Sequence, residues 1–278
     1  MKFHFEKSVS YGVATHAGIG IRRIMAKNPG PFTYHGTGTY IIGKGEVAVI
    51  DPGPDIPSHV NSLLDALDGE KVSHILVTHT HRDHSPAANA LKLATGAETY
   101  GFGPHSRNKG PSVEEGADYD FIPDIATIDG DIIEGRDFCF EAIHTPGHTS
   151  NHLCFSLKKH GVLFPGDHVM GWSTTVVSPP DGNMALYRSS LQRLLERDEK
   201  IYLPTHGPAI LNPYEYVSSL LAHRNERENS IVSLVDSGIN RVPEIVDKIY
   251  IGLDPKLHTA AQRSVLAHLI QLVNEGKI

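Results

Sequence analysis

Apolar and polar positions follow two rhythms along this chain. Up to about residue 210, short apolar runs alternate with helix-spaced stretches; beyond it only the helical spacing persists. Thr39–Ile50 reads as two strands joined by a Gly-Lys-Gly turn, and Asp51-Pro52-Gly53-Pro54-Asp55 breaks the chain. Ile56, Val60, Leu63, Leu64 and Leu67 predict a helix over 56–67, and Val72–Val77 a strand ending at Thr78-His79. Ser85-Pro86 supplies an N-cap and a first-turn proline for a helix running to about Leu93. Residues 104–124, rich in Gly, Pro and charge, read as a long surface loop. Strands are expected at Ile125–Ile128, Phe138–Ile143, Leu153–Leu157 and Val162–Phe164, and a loop at 173–184. A helix at Ala185–Leu195 and a short strand at Ile201–Leu203 follow. Three helices close the chain, from Tyr214 to about Asp236, Val242–Tyr250 and Thr259–Val273. The pattern predicts an α/β layered domain over 1–212 and a small helical domain over 213–278.

Composition narrows the class. With 40% hydrophobic and 21% charged residues over 278 positions, a disordered chain and a pure coiled coil are excluded. No run of about 18 apolar residues occurs, so no membrane partner is expected. The opening MKFHFEKSVSYGV lacks the apolar core of a signal peptide, which sets a cytoplasmic expectation. Cys139 and Cys154 form no CxxC pair, arguing against a thiolate site or a disulfide framework. The net charge of −7 opposes general capture of nucleic acid. Residues 223–278 hold seven Lys/Arg and seven Asp/Glu, so the excess lies upstream. Residues 259–273 carry Arg263 as their one firm cation, so specific duplex DNA binding is not expected.

The spacing of the 18 histidines carries the chemistry. Thr78-His79-Thr80-His81-Arg82-Asp83-His84 contains H-x-H-x-D-H. His79 and His81 stand two apart in extended chain, so their rings project to one side and can share one ion. Asp83 and His84 follow where the chain turns into the next helix, which aims them at a second centre. Imidazole and carboxylate without thiolate suit Zn²⁺, with Mn²⁺ or Fe as alternatives. Three further residues stand just past apolar strands, as His79 does: His148 after Pro146-Gly147, Asp167 after Pro165-Gly166, and His206 before Gly207-Pro208. Loops gathered at one edge of a layered sheet would bring all seven together.

Five elements in order resemble the metallo-β-lactamase superfamily of binuclear hydrolases: Asp51 in IDPG, THTHRDH, TPGHT at 145–149, PGD at 165–167 and PTHGP at 204–208. The resemblance implies an αββα sandwich with two zinc ions at one edge. By the same resemblance His79, His81 and His148 would hold one metal, and Asp83, His84 and His206 the other. Asp167 would bridge them, and Asp51 would orient a ligand or the motif loop. The tail resembles the small winged-helix-like C-terminal domain of the β-lactamase-like endoribonuclease branch, and NPGPFTYHGTGTY at 28–40 its N-terminal substrate loop. Gly38, where that branch usually has Asn, and Thr80, where an aromatic is common, depart from its pattern.

That family's chemistry uses a water activated between two metals, with Asp83 and Asp167 as the catalytic carboxylates. The resemblance favours phosphodiester cleavage of single-stranded RNA. A small-molecule thioester or lactone, as in glyoxalase II, is the alternative substrate. A non-catalytic metal-binding scaffold is the alternative of another class, disfavoured because all seven ligands are present. The tail reads as a lid, a substrate wall or the surface of a homodimer. His223, Arg224 and Arg227 are offered for phosphate contact against a solvated helix face. His144, His152, His168 and Asn151 are weak candidates for oxyanion donors, and Tyr34, His35 and Trp172 for pocket walls.

Overall fold

The computed structural model describes residues 1–106 and 116–278. Two sheets stack face to face. The first runs β1 (Thr15–Gly18), β2 (Ile21–Met25), β3 (Gly38–Lys44), β4 (Glu46–Ile50), β5 (Lys71–Leu76), β6 (Glu98–Gly101) and β7 (Ile125–Ala126), in that spatial order. Strands β1 to β4 pair antiparallel; β4 to β7 pair parallel. The parallel pairs β4–β5 and β5–β6 require crossovers, supplied by α1 (Pro57–Ala66) and α2 (Ala87–Thr95). The second sheet holds β8 (Ile132–Glu134), β9 (Cys139–His144), β10 (Leu153–Leu157), β11 (Val162–Phe164) and β12 (Ile201–Tyr202), in the order 12-11-10-9-8. Helix α3 (Met184–Leu195) makes its one parallel crossover, between β11 and β12.

The two-residue period of the strands sorts the core into layers. Tyr40, Ile42, Ala48 and Ile50 of the first sheet meet Phe140, Ala142, Leu153, Phe155 and Phe164 of the second. Their neighbours Ile41, Val47, Val49 and Ile75 face outward onto Leu63 of α1 and Leu91 of α2. Ile143, Cys154 and Leu163 face the other way, onto Tyr187, Leu191 and Leu194 of α3. The result is an αββα sandwich.

Three helices follow: α4 (Pro213–Asp236), α5 (Val242–Ile249) and α6 (His258–Asn274). The expected boundary after residue 212 falls where α4 begins, yet α4 serves two cores. Its Tyr216, Val217 and Leu220 pack with α3 in the sandwich, while Ile231 packs with Ile245, Val246, Val265 and Leu272 of the tail. No helix among the described residues is long and apolar enough to cross a membrane.

Some local expectations change. Strands β1, β2, β6 and β8 are additions to the sequence-predicted set. The predicted loop 104–124 lies partly outside the described residues. Ser85 does not cap α2: its hydroxyl donates to Asp118 Oδ2 at 2.6 Å, and the helix starts behind Pro86 without a side-chain cap.

The dual role of α4 sets an expected outcome. Leu220 is 1% exposed and Leu211, just before the helix, is 66% exposed. Leu220→Ala should cost about 2–5 kcal/mol in urea unfolding. Leu211→Ala should change stability by less than about 0.5 kcal/mol.

Candidate metal centre

Every residue named in the sequence for metal binding lies beyond the C-terminal end of a strand. Asp51 follows β4, the H-x-H-x-D-H segment follows β5, His148 follows β9, Asp167 follows β11 and His206 follows β12. Pairing directions put the ends of β4 and β5 on one edge of the first sheet and those of β9, β11 and β12 on one edge of the second, and the Thr205–Asp51 hydrogen bond joins the two edges. Tight turns bring the side chains inward. Gly166 turns with φ +52°, and a Cβ there would lie 2.7 Å from His152 Nε2 and 2.8 Å from Thr78 Oγ1. Gly147 sits at φ +138°, where a Cβ would lie 2.3 Å from the Tyr187 backbone. Both positions therefore require glycine.

Among the described residues, three overlapping groups of ligand atoms form, each within 4.8 Å: His79, His81 and His148; His79, His84 and Asp167; Asp83, His84 and His206. In the first, His81 Nδ1 lies 3.0 Å from His79 Nε2 and 3.2 Å from His148 Nε2. In the last, Asp83 Oδ2 lies 3.0 Å from His206 Nε2 and 3.4 Å from His84 Nε2. Asp167 approaches two members of that last group, with Oδ1 3.4 Å from His206 Nε2 and Oδ2 3.5 Å from His84 Nε2.

Outer hydrogen bonds decide which ring nitrogen faces inward. His148 Nδ1 donates to the Val176 carbonyl at 2.8 Å and His206 Nδ1 to the Gly36 carbonyl at 3.0 Å, leaving each Nε2 facing inward. His84 Nδ1 lies 2.9 Å from Asp51 Oδ2. Thr78 Oγ1 donates to Asp51 Oδ2 at 2.8 Å and so accepts from His79 Nδ1 at 3.1 Å. These tautomers follow from the network. They orient imidazoles as the partners of metal ligands do.

Asp51 organises this shell from a backbone φ of +49°. Its carboxylate accepts from the Thr78 N–H at 2.8 Å and the Thr205 hydroxyl at 2.9 Å, besides Thr78 Oγ1 and His84. Thr78, Thr205, Thr37, Gly36 and Val176 are supporting positions that the sequence reading did not single out. Thr78 and Thr205 stood inside the quoted THTHRDH and PTHGP motifs, and Gly36 and Thr37 inside NPGPFTYHGTGTY; the Val176 carbonyl has no sequence signal.

The electrostatics fit cations. Burial, then the crowded imidazoles, hold His79 well below the ordinary histidine range, so it is neutral. Burial opposes charge on His206, yet the Asp167 and Asp83 carboxylates raise it to about 10. Burial likewise opposes charge on His84, and Asp83, Asp167 and Asp51 push it well above its ordinary value. Burial favours the neutral acids, but His84 and His206 hold Asp83 and Asp167 below the usual carboxylate range. His84 Nε2 and Asp167 Oδ1 are buried without a protein hydrogen-bond partner. Inward-facing imidazole nitrogens, two carboxylates and buried unpartnered atoms together fit one or two divalent metals, which would displace the protons of His84 and His206.

The remaining candidates sort differently. His152 accepts the Asp167 N–H at Nε2 over 3.2 Å and meets Thr145 Oγ1 at 2.9 Å through Nδ1, so it props the Asp167 turn and is not an oxyanion donor. His144 lies outside, with Nε2 3.0 Å from the Ser150 carbonyl and its ring on Phe102. His168 is buried against Tyr187. Asn151 donates to Thr80 Oγ1 at 2.8 Å, which fixes the motif loop. Tyr34 stacks on Trp172, ring centroids 5.0 Å apart. The Tyr34 hydroxyl donates to the Glu6 carbonyl at 2.8 Å, and His35 Nε2 lies 3.1 Å from the same oxygen.

The chain belongs to the metallo-beta-lactamase superfamily, whose model matches residues 34–206. A beta-lactamase associated winged helix domain matches residues 242–278. Among relatives, a beta-lactamase-like protein 2 homolog of Drosophila melanogaster is 32% identical, covering 92% of this chain and 88% of that one. An atrochrysone carboxyl ACP thioesterase of Cryptosporiopsis sp. is 30% identical, covering 77% of this chain and 62% of that one. A beta-lactamase domain protein from Burkholderia ambifaria, 21% identical, superposes with a TM-score of 0.79 over 99% of this chain and 92% of that one, which shows the shared fold. The protein is accordingly a hydrolase of this superfamily with candidate metal-binding His/Asp clusters.

Two outcomes follow. Asp51→Ala leaves several buried donors unpaired and should lower metal affinity about 10–100-fold, read by metal competition with a chromogenic chelator. The raised values of His84 and His206 stabilise the metal-free protein below the unfolded histidine pKa of about 6.5. For His206 that contribution disappears as pH rises through about 10. Metal uptake at pH 7.5 should therefore release about two protons, measured calorimetrically in buffers of different ionisation enthalpy.

Proposed function

We propose that the protein is a two-metal hydrolase acting on acyl thioesters, with zinc as the resident ion. The observation that carries the two-metal reading is the overlap of the ligand groups, in which His79, His84 and Asp167 join the other two sets. His79, His81 and His148 would hold one ion, Asp83, His84 and His206 the other, with Asp167 between them. When bound, such ions supply Lewis acidity and lower the pKa of water.

The chain's own residues supply positioning and proton handling. Asp83 is a carboxylate at neutral pH, and Thr37 Oγ1 donates to its Oδ2 over 3.4 Å, which helps to hold the side chain that would orient an attacking water. Asp167 is fixed through its backbone: its N–H is bound by His152 and its carbonyl accepts from Thr175 Oγ1 at 2.6 Å. That clamp keeps the carboxylate aimed between the two ligand sets.

The substrate class is supported by charge and by what the tail residues do. The residues offered for phosphate contact form no exposed cationic face. Arg224 is 2% exposed. Arg227 stacks on Tyr250 and donates to the Ile249 carbonyl at 3.3 Å. Burial and the neighbouring arginines push His223 down to about 4, so it is neutral. A polyanion would meet an overall charge of −7. A thioester carbonyl needs no such cations, and a relative bears a thioesterase name.

The deciding comparison is kcat/KM for a hexanoyl thioester and for a short single-stranded RNA, on one zinc-loaded preparation. The thioester should be hydrolysed preferentially. Efficient RNA cleavage with an intact thioester would restore the endoribonuclease expectation. Asp167→Ala should lower thioester turnover by more than about 10²-fold; near-normal turnover would remove Asp167 from the mechanism.

A further inference from the structure

Between the sandwich and the tail lies a cavity of about 140 Å³. Its walls are largely apolar: Phe32, Met170 and Trp172 from the sandwich, Leu253, Leu257 and Ala261 from the tail. Arg224 of α4 also lines it. At 2% exposure, this is a buried guanidinium.

The partners of Arg224 do not neutralise it. One Nη donates to the Thr175 carbonyl, and the guanidinium lies over the Tyr187 ring, 5.2 Å from its centroid. Its Nε is buried without a protein hydrogen-bond partner. The guanidinium makes no ion pair with any described carboxylate. The acid one helical turn on, Glu228, is taken by Arg188 and by Lys277 Nζ at 3.1 Å. The neighbours add no negative charge. Burial, then Arg224 and Arg188, lowers His268 to about 3, and burial, then His148 and Arg224, lowers His168 to about 3.

A buried charge is costly unless paired, and removing its partner typically costs several kcal/mol. A guanidinium kept here without a carboxylate would be matched by an anion from outside. The walls and the single unpaired cation define that anion. A phosphate dianion would stay half-compensated in apolar surroundings; a carboxylate carries one charge and fits the fork. Cavities near this size hold six-carbon apolar bodies. We propose that this interdomain cavity binds a compact apolar monocarboxylate, its carboxylate on Arg224 and its hydrocarbon against Trp172, Met170 and Leu257.

This site requires neither metals nor turnover, so its test is separate from that of the thioester reading. Trp172 is the chain's single tryptophan, which makes its fluorescence a direct reporter. Metal-free full-length protein is titrated with hexanoate and, separately, with hexan-1-ol. Hexanoate should change the Trp172 emission saturably and bind at least about 10-fold more tightly than the alcohol. Equal affinities, or no saturable change with hexanoate, would overturn the proposal. Arg224→Met replaces the guanidinium with an apolar chain and should abolish the preference for hexanoate while hexan-1-ol still binds. Unchanged hexanoate affinity in that variant would place the acid elsewhere. Should the variant not fold, the two titrations of the unaltered chain decide.

Discussion

The site depends on one buried carboxylate. Asp51, fully shielded and held at a positive φ, takes hydrogen bonds from two other segments: Thr78 and His84 in the motif loop behind β5, and Thr205 behind β12. A buried carboxylate is tolerated only when its lone pairs are filled. Here filling them ties the ends of β4, β5 and β12 into one corner. The same bonds set the tautomers of His79 and His84. An isosteric Asn would offer one acceptor and an unwanted pair of donors, so the constraint is on charge as well as shape.

The candidate site was more legible than the fold around it. The seven candidate ligand positions were readable because they lie in short motifs behind recognisable strands, as with Pro165-Gly166-Asp167. Strands β3, β4, β5, β9, β10 and β11 were readable because their apolar runs are long or uninterrupted. Strand β2 was not: Arg22 and Arg23 interrupt IRRIM, and both are satisfied at long range, Arg22 by Glu70 at 2.5 Å and Arg23 by Glu6 at 2.8 Å. Strand β8 has three residues, with only Ile133 buried, too short for periodicity to register. Ser85 looked like a cap because its rival partner, Asp118, is 33 residues away.

Arg224 shows the same limit from the functional side. In the sequence it belongs to a polar stretch, HRNERE, whose ordinary reading is a solvated helix face. In the structure the stretch splits by helical phase. Arg224 and Glu228, one turn apart, turn inward, while Asn225 and Glu226 remain outside. Only packing against α3 and the Ser173–Val176 strap reveals which side is buried.

The ligand sets draw on both sheets. His79, His81, Asp83 and His84 follow the first sheet; His148, Asp167 and His206 follow strands of the second. The hydrophobic layer between the sheets is non-directional and tolerates small slips. A cation held by residues from both sides would act as a rivet through the sandwich, closing chain loops of roughly 60 to 130 residues and fixing the register of the two layers at one edge. Catalytic geometry and mechanical integrity would then be a single property. Stripping the ions would loosen the edge that also carries the Thr175 strap, and with it the seam to the tail.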